Sequence, residues 1–207
     1  MPPDLLQQLQ ALAPLTAADW TAMAAVLRRR ELGRGNFFCR AGTVCTEMAF
    51  VEKGLLRLFY PLPEGQEKTM LFFRAGSLAG DYFSFLTETP SLRPVEALEP
   101  CVLWSVGRSD LMALYQRPAW AQVGRHLAEQ AYLYAAHRAN RLLHDSPDTR
   151  YQTLLAEDPD LLQRVPQYLI ASYLDLTPET LSRVKRRLQA QGPAPDSVHG
   201  PLRQVPW

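Results

Sequence analysis

A basic run near the C-terminal end of the sequence has the residue types needed to hold nucleic-acid phosphates. Its members are Arg183, Lys185, Arg186 and Arg187. The run lies on a predicted helix, because Thr177 can cap an early backbone N–H and Pro178 suits the first helical position. Leu181, Val184 and Leu188 form an apolar stripe on the same helix. The basic side chains are therefore expected on its exposed face.

A second short helix precedes this one and completes a helix-turn-helix. Pro166 can begin it, and Ile170, Ala171 and Leu174 can pack inward. The turn 175–177 then leads into the basic helix, an arrangement that suits a recognition helix in a major groove. We therefore predict that this segment contacts DNA. The predicted contact residues are Thr177, Glu179, Thr180, Arg183, Lys185, Arg186 and Arg187.

These residue types divide between base reading and phosphate binding. Arg183 can pair with a guanine edge, and Glu179 can accept from a cytosine amino group. Lys185, Arg186 and Arg187 can neutralise phosphates. The alternative is a solvated helix end, where basic side chains complement the helix dipole. Residues 145–207 hold seven Lys and Arg against eight Asp and Glu, so no regional positive field supports non-specific binding.

Residues 118–144 predict one long helix with a seam of mostly small residues. The seam consists of Trp120, Gly124, Ala128, Ala131, Ala135, Ala139 and Leu142. Such spacing and small side chains let two helices approach closely, which predicts a homodimer. The alternative is that the stripe packs on the rest of the chain. His126, His137 and His144 lie on the opposite face and are interpreted as solvated polar residues rather than metal ligands.

The sequence between residues 28 and 107 predicts many short strands. Glycines separate apolar or alternating runs such as "LLRLFY", "EKTMLFF" and "CVLWSV". Gly65 supplies the turn of a hairpin between the first two runs. Such strands favour a sandwich, jelly roll or barrel, and residues 1–27 predict helix before them.

Composition limits the possible classes of protein. The chain has 207 residues, 47% hydrophobic residues and a net charge of +1, as expected for a globular protein. No apolar run of about 18 residues could span a membrane, and the first basic residue is Arg28, so a signal peptide is not expected. Cys39, Cys45 and Cys101 show no CxxC spacing; we interpret them as free, buried thiols in a cytoplasmic protein.

From these segments the sequence resembles the Crp/Fnr superfamily of transcription regulators. "VEKGLLRLFY", "EGQEKTMLFFRAGSLAGDYFSFL" and "PVEALEPCVLWSV" are similar to the family's β-roll sensor, and "IASYLDLTPETLSRVKRRL" to its DNA-binding segment. The resemblance implies that Thr177, Pro178, Glu179 and Arg183 occupy the main DNA-reading positions. Pro178 occupies a position where a member of this family has a basic side chain, so one possible base contact is missing here. Double-stranded DNA, a second copy of the chain and RNA polymerase are the implied partners.

The expected fold class is α+β. An N-terminal β-roll (jelly-roll, cyclic-nucleotide-binding-like) domain with a leading helix covers residues 1–117, and the dimerisation helix covers 118–144. A winged helix-turn-helix-like domain covers 145–190, followed by a Pro- and Gly-rich tail, 191–207, that is expected to be disordered.

The resemblance also places a ligand pocket, formed by Gly80, Asp81, Tyr82, Ser91, Leu92 and Arg93. Family members that bind cyclic nucleotides carry Gly-Glu, then Arg-Ser or Arg-Thr about ten residues later. Here Asp81 is one methylene shorter, Ser91-Leu92 replaces the second pair, and Arg93 lies two positions on. Two residues along a strand move a side chain about 7 Å. We therefore expect little or no cyclic AMP binding and leave an unknown small-molecule effector open.

Other functions have less support. The sequence contains no GxSxG, P-loop, HExxH or Rossmann fingerprint, so an enzyme is not expected. No histidine precedes His126, which argues against a metal-binding cupin. No metal or cofactor is predicted. One alternative remains: a ligand- or protein-binding β-roll module with a vestigial helix-turn-helix.

Overall fold

Two four-stranded antiparallel sheets form the N-terminal part of the chain. The structure is a computed structural model that describes residues 2–191. The strands are β1 Arg28–Leu32, β2 Phe37–Cys39, β3 Glu47–Lys53, β4 Leu55–Pro61, β5 Glu67–Arg74, β6 Leu78–Ala79, β7 Val95–Ala97 and β8 Cys101–Gly107. Their orders are β1-β8-β3-β6 and β2-β7-β4-β5. The α+β fold with an N-terminal β-roll is confirmed.

Nine α-helices surround and follow the strands within these residues. They are α1 Pro3–Leu12, α2 Ala17–Val26, α3 Tyr82–Thr87, α4 Arg108–Leu114, α5 Pro118–His144, α6 Pro147–Glu157, α7 Pro159–Arg164, α8 Gln167–Tyr173 and α9 Pro178–Gln191. A short 3-10 turn, Pro63–Gly65, joins β4 to β5 and forms the predicted hairpin. No helix in the described range 2–191 is long and apolar enough to cross a membrane.

The space between the two sheets is the first hydrophobic core. Both sheets contribute to it, through residues such as Val51, Leu103, Leu56 and Phe73. Strand β4 is buried on both faces from Leu55 to Phe59. On its second face Leu55 packs on the C-terminal helices, and Arg57 pairs with Glu67 and Glu96 of the neighbouring strands. This explains why "LLRLFY" is nearly continuously apolar rather than alternating.

Helices α1, α2, α4 and the first half of α5 form a second core against β3 and β8. Trp20 and Trp120 meet edge to face there, with ring centroids 6.1 Å apart. Thr16 and Asp19 form a capping box at the start of α2. Asp19 also accepts a hydrogen bond from Arg117 Nε at 2.6 Å, which ties α2 to the residue that precedes α5.

The face that α5 turns inward differs from the predicted seam. Trp120 is 1% exposed within its own chain, and a Cβ at Gly124 would lie 2.7 Å from the Tyr115 ring. Leu142 lines a cavity of the same chain. Trp120 and Gly124 therefore cannot belong to an exposed seam, because they pack within their own chain, whereas Leu142 is half-buried. Ala131 is half-buried, whereas Ala128, Ala135 and Ala139 are exposed.

The C-terminal helices α6 to α9 have a third core, which also includes Leu55 of β4. On α8 the Ser172 hydroxyl accepts a hydrogen bond from Thr69 N and donates one to Glu67 O, both at 2.9 Å. The helical unit is therefore fastened to β5 of the β-roll. Residues 145–191 contain no strand that could form the predicted wing. Helix α9 ends at Gln191, and residues 192–207 of the predicted tail lie outside the described range.

Candidate sensor pocket and DNA-binding surface

The predicted ligand pocket begins where β6 ends and α3 starts. Gly80 has φ +152°, and a Cβ there would lie 2.5 Å from Met48 Sδ. A side chain at this position would therefore need both a strained backbone and a displaced Met48. This conformation places the following Asp81 at the N-cap of α3 with 1% exposure.

Asp81, Ser91 and Arg93 form one hydrogen-bonded network. Ser91 Oγ donates to Asp81 Oδ2 at 2.6 Å, and the Arg93 guanidinium forms an ion pair with Asp81 Oδ1. Ser91 Oγ also accepts from Arg93 N at 2.9 Å. The acidic and basic groups that would face a ligand are thus paired with each other.

The Arg93 guanidinium also lies near two aromatic rings. Its central carbon is 5.6 Å from the Phe83 centroid and 5.9 Å from the Tyr60 centroid, within the range of cation–π attraction. A cyclic phosphate would have to compete with a buried carboxylate for this cation. Such pairs resist separation because each partner would be left desolvated.

Two of the six predicted pocket residues point elsewhere. Leu92 is 72% exposed, and Tyr82 lines a separate cavity of about 60 Å³ beneath α1, α4 and α5. Sequence reasoning missed Ser84, whose hydroxyl accepts from Cys45 N at 3.0 Å and donates to Thr89 O at 2.6 Å. A serine inside a short apolar helix gives no sequence signal of this role.

Cys39 and Cys45 are neighbours close to this network. Both thiols are buried and free, as predicted. A hydrogen bond between them lowers the pKa of Cys39 and raises the pKa of Cys45, which burial raises further. Within residues 2–191 no group of three or more His, Cys, Asp or Glu side chains could hold a metal ion.

Helices α8 and α9 flank the turn of the predicted helix-turn-helix. Ile170 and Ala171 on α8 and Leu181 and Val184 on α9 are buried, so the predicted inward faces are present. Thr177 Oγ1 accepts from Thr180 N at 3.2 Å and caps α9. The turn is closed by Asp175, at φ +60°, which forms an ion pair with Lys68 of β5.

The exposed face of α9 carries the predicted DNA contacts. Thr177, Glu179, Arg183, Arg186 and Arg187 are exposed, whereas Thr180 and Lys185 are half-buried. The pKa of Glu179 is lowered, first by its own backbone N–H and then by Thr177; Arg183 also contributes. Its carboxylate is therefore held at the helix start in the form that accepts hydrogen bonds.

The basic side chains of α9 differ in their intramolecular partners. Arg187 Nε donates to Asp148 Oδ2 of α6 at 2.8 Å, and Lys185 Nζ donates to Gln167 Oε1 at 3.0 Å. Among the described residues, Arg183 and Arg186 make no side-chain hydrogen bond or ion pair. These two arginines are consequently the cations most available to a partner outside the chain.

Comparison with known proteins agrees with this architecture. Residues 29–118 match the family model of the cyclic nucleotide-binding domain. No curated protein matches the chain. A putative Crp/Fnr-family transcriptional regulator from Eubacterium rectale aligns with a TM-score of 0.68 and 19% identity, over 89% of this chain and 88% of that one.

Two further solved structures align over most of the chain. The catabolite activator protein of Thermus thermophilus gives a TM-score of 0.51 and 24% identity, covering 87% of this chain and 88% of its own. FixK2 from Bradyrhizobium japonicum gives 0.64 and 20%, covering 83% and 90%. The predicted resemblance is confirmed at the level of fold: residues 29–118 match the cyclic nucleotide-binding domain model, and the chain shares the fold of solved Crp/Fnr-family regulators.

Proposed function

We propose that this protein is a DNA-binding transcription regulator that acts as a homodimer and does not respond to cyclic AMP. The observation that carries the proposal is the exposed, unpaired state of Arg183 and Arg186 on a capped helix whose other face is fully packed. Such a helix offers donors to a groove without first breaking internal contacts. The similarity in fold to Crp/Fnr-family regulators supports the same function.

Dimerisation is supported by an apolar stripe on α5 that this chain leaves uncovered. Its members are Ala128, Tyr132, Ala135, Ala139 and Leu143. Tyr132 and Leu143 are 72% and 77% exposed, which is unusually high for large hydrophobic side chains that lie next to each other on one helix face. At about 100° per residue the stripe is rotated roughly 50° from the predicted seam. A second copy of α5 would bury it and place the two α9 helices about a twofold axis.

The insensitivity to cyclic AMP rests on the pairing of Asp81 with Arg93. Both groups have a partner inside the protein, so binding a cyclic nucleotide would require breaking a mostly buried ion pair. RNA polymerase is proposed as a partner from the likeness to known regulators alone.

The experiment that tests the regulator function is selection of duplexes from random-sequence DNA, followed by a mobility shift with the selected sequence. We expect an inverted repeat, because two α9 helices related by a twofold axis read half-sites about one helical turn, or roughly 34 Å, apart. Failure to enrich any sequence would favour the alternative, a ligand- or protein-binding module with a vestigial helix-turn-helix. The pairing of Arg187 with Asp148 favours this alternative, because it occupies a predicted phosphate-binding group within the chain.

A further inference from the structure

A cavity of about 510 Å³ lies between the β-roll and the C-terminal helices. We call it the interdomain cavity. It is bounded by α1, the end of β5, α5 between Leu127 and Leu142, and helices α6 to α8. Its volume is in the range of sites that hold small organic molecules. It is separate from the network of Asp81, Ser91 and Arg93, none of which lines it.

Positive charge is in excess in the lining of this cavity. The lining holds four arginines and two carboxylates, a surplus of two positive charges. Arg141 forms two hydrogen bonds with Glu157, at 3.0 and 2.6 Å, and Arg74 pairs with Asp158 at 2.7 Å. The excess therefore belongs to Arg138 and Arg150, which form no salt bridge within residues 2–191.

Arg138 and Arg150 each keep a buried donor without an acceptor. The Nε atoms of both are buried and have no hydrogen-bond partner in the described part of the chain. Arg138 is held in place from its other side, since Nη2 donates to Tyr173 O at 2.8 Å and the guanidinium lies 4.2 Å from the Tyr173 centroid. Buried, charged donors without partners are costly, so both guanidinium groups keep a charge that no carboxylate of the described residues neutralises.

The charges of both arginines reach Asp175, a residue of the turn before α9 that does not line the cavity. The pKa of Asp175 is lowered, first by its hydrogen bond from Lys68 and also by the nearby charges of Arg150 and Arg138. Asp175 is already paired with Lys68, so it does not neutralise either arginine.

The cavity also has apolar lining residues. Leu5 and Leu9 of α1 line it together with Leu127 of α5. Leu127 and Arg138 are separated by eleven positions on one helix, or about 16 Å at 1.5 Å per residue. The lining therefore extends over at least this length along α5 and contains both apolar side chains and arginines.

We propose that the interdomain cavity binds an amphipathic organic anion, a carboxylate with an elongated apolar body, whose head group contacts Arg138 and Arg150. The apolar body lies towards Leu5, Leu9 and Leu127. A bound molecule of this kind contacts the β-roll, α5 and the C-terminal helices at once. The site is distinct from the cyclic nucleotide position of the matched domain.

Calorimetry on the full chain with monomeric dodecanoate tests the proposal. We expect one dodecanoate per chain and weaker binding of dodecanol, which has the same hydrocarbon but no charge. Arg150→Gln should weaken dodecanoate binding by about tenfold or more, as expected when a hydrogen bond to a charged group is lost. Arg125→Gln is the matched control, because Arg125 is exposed on α5 and does not line the cavity.

Arg138→Gln provides a second variant, with circular dichroism and thermal unfolding used to verify that each variant is folded. Three results would overturn the proposal: no binding of dodecanoate to the unmodified protein, equal binding of dodecanol, or unchanged binding by folded Arg150→Gln and Arg138→Gln. The measurement requires no DNA, so its failure leaves the proposed regulator function intact.

Discussion

Arg187 of α9 is bound to Asp148 of α6, with Nε 2.8 Å from Oδ2 and a second contact through Nη2. The predicted phosphate contact is therefore already engaged by a carboxylate of its own chain. To reach a phosphate, Arg187 must exchange one charged partner for another. In the proposed DNA complex the pair would oppose non-specific binding and leave discrimination between sequences to Arg183 and Arg186.

Asp148→Asn should strengthen binding to every DNA sequence, because it releases Arg187 towards the phosphates. One additional phosphate contact steepens the slope of log K against log salt by about 0.9. Mobility shifts or anisotropy at several salt concentrations measure that slope. An unchanged slope together with unchanged affinity would mean that Arg187 lies away from the DNA backbone.

Arg183→Ala should weaken binding to the selected DNA sequence by about 1–3 kcal/mol per half-site and relax preference at one base pair. The reason is that Arg183 lies on the exposed face of α9 without an internal salt bridge and can fork onto a guanine. Arg125→Ala, on the distant helix α5, is the control and should leave affinity unchanged. Equal losses for all sequences would reassign Arg183 to phosphate binding.

Cyclic AMP and cyclic GMP should give no saturable heat in calorimetry with the full chain. The paired Asp81 and Arg93 leave no free cation for the cyclic phosphate among the predicted pocket residues. A micromolar dissociation constant for either nucleotide would show that the ion pair opens readily. In that event Arg93→Ala should abolish the binding.

Ala135→Arg should convert a dimer into a monomer in sedimentation at micromolar concentration, because it places a charge and excess volume in the exposed stripe of α5. His137→Arg is the matched control: it lies about 200° around the helix at 100° per residue and is also exposed. If the unmodified protein sediments as a monomer, or if both variants remain dimeric, this interface is wrong.

Acid should loosen the junction between α2 and α5. The pKa of Asp19 is lowered from 3.8 to about 2, first by the Thr16 hydroxyl, then by the Thr16 backbone, and also by Arg117. Because the folded-state pKa is depressed, this contribution to stability is present above about pH 4 and is lost as pH falls towards 2. Asp19→Asn should therefore flatten the pH dependence of the unfolding temperature in that window. An identical slope in the variant would count against this assignment.

The fold was predictable from local patterns because its elements carry strong local signals. The hairpin of β4 and β5 has a glycine turn between apolar runs, and α9 has Thr177 and Pro178 at its start. The inward positions Ile170, Leu181 and Val184 follow from helical periodicity. Each of these features needs only neighbours within about one turn or one hairpin.

The details of the candidate sites depend on contacts between distant segments, which periodicity does not encode. A stripe of small residues on α5 gives no indication of which side meets α1 and Tyr115, so the sequence alone does not reveal that Trp120 and Gly124 pack within the chain. The pairing of Arg187 with Asp148 spans 39 positions. Arg138 and Arg150 look like ordinary surface cations until folding encloses them.

The hydroxyl of Ser172 also helps to protect the protein from aggregation. Strand β5 is the last strand of its sheet, and the Thr69 N–H and Glu67 carbonyl that Ser172 engages are groups that a foreign strand could otherwise pair with. Helix α8 thereby covers an open sheet edge, where strands of different chains could otherwise pair and aggregate. Any movement of the C-terminal helices away from the β-roll would uncover that edge. The contact of Ser172 with β5 thus both restrains these helices and protects the sheet edge from aggregation.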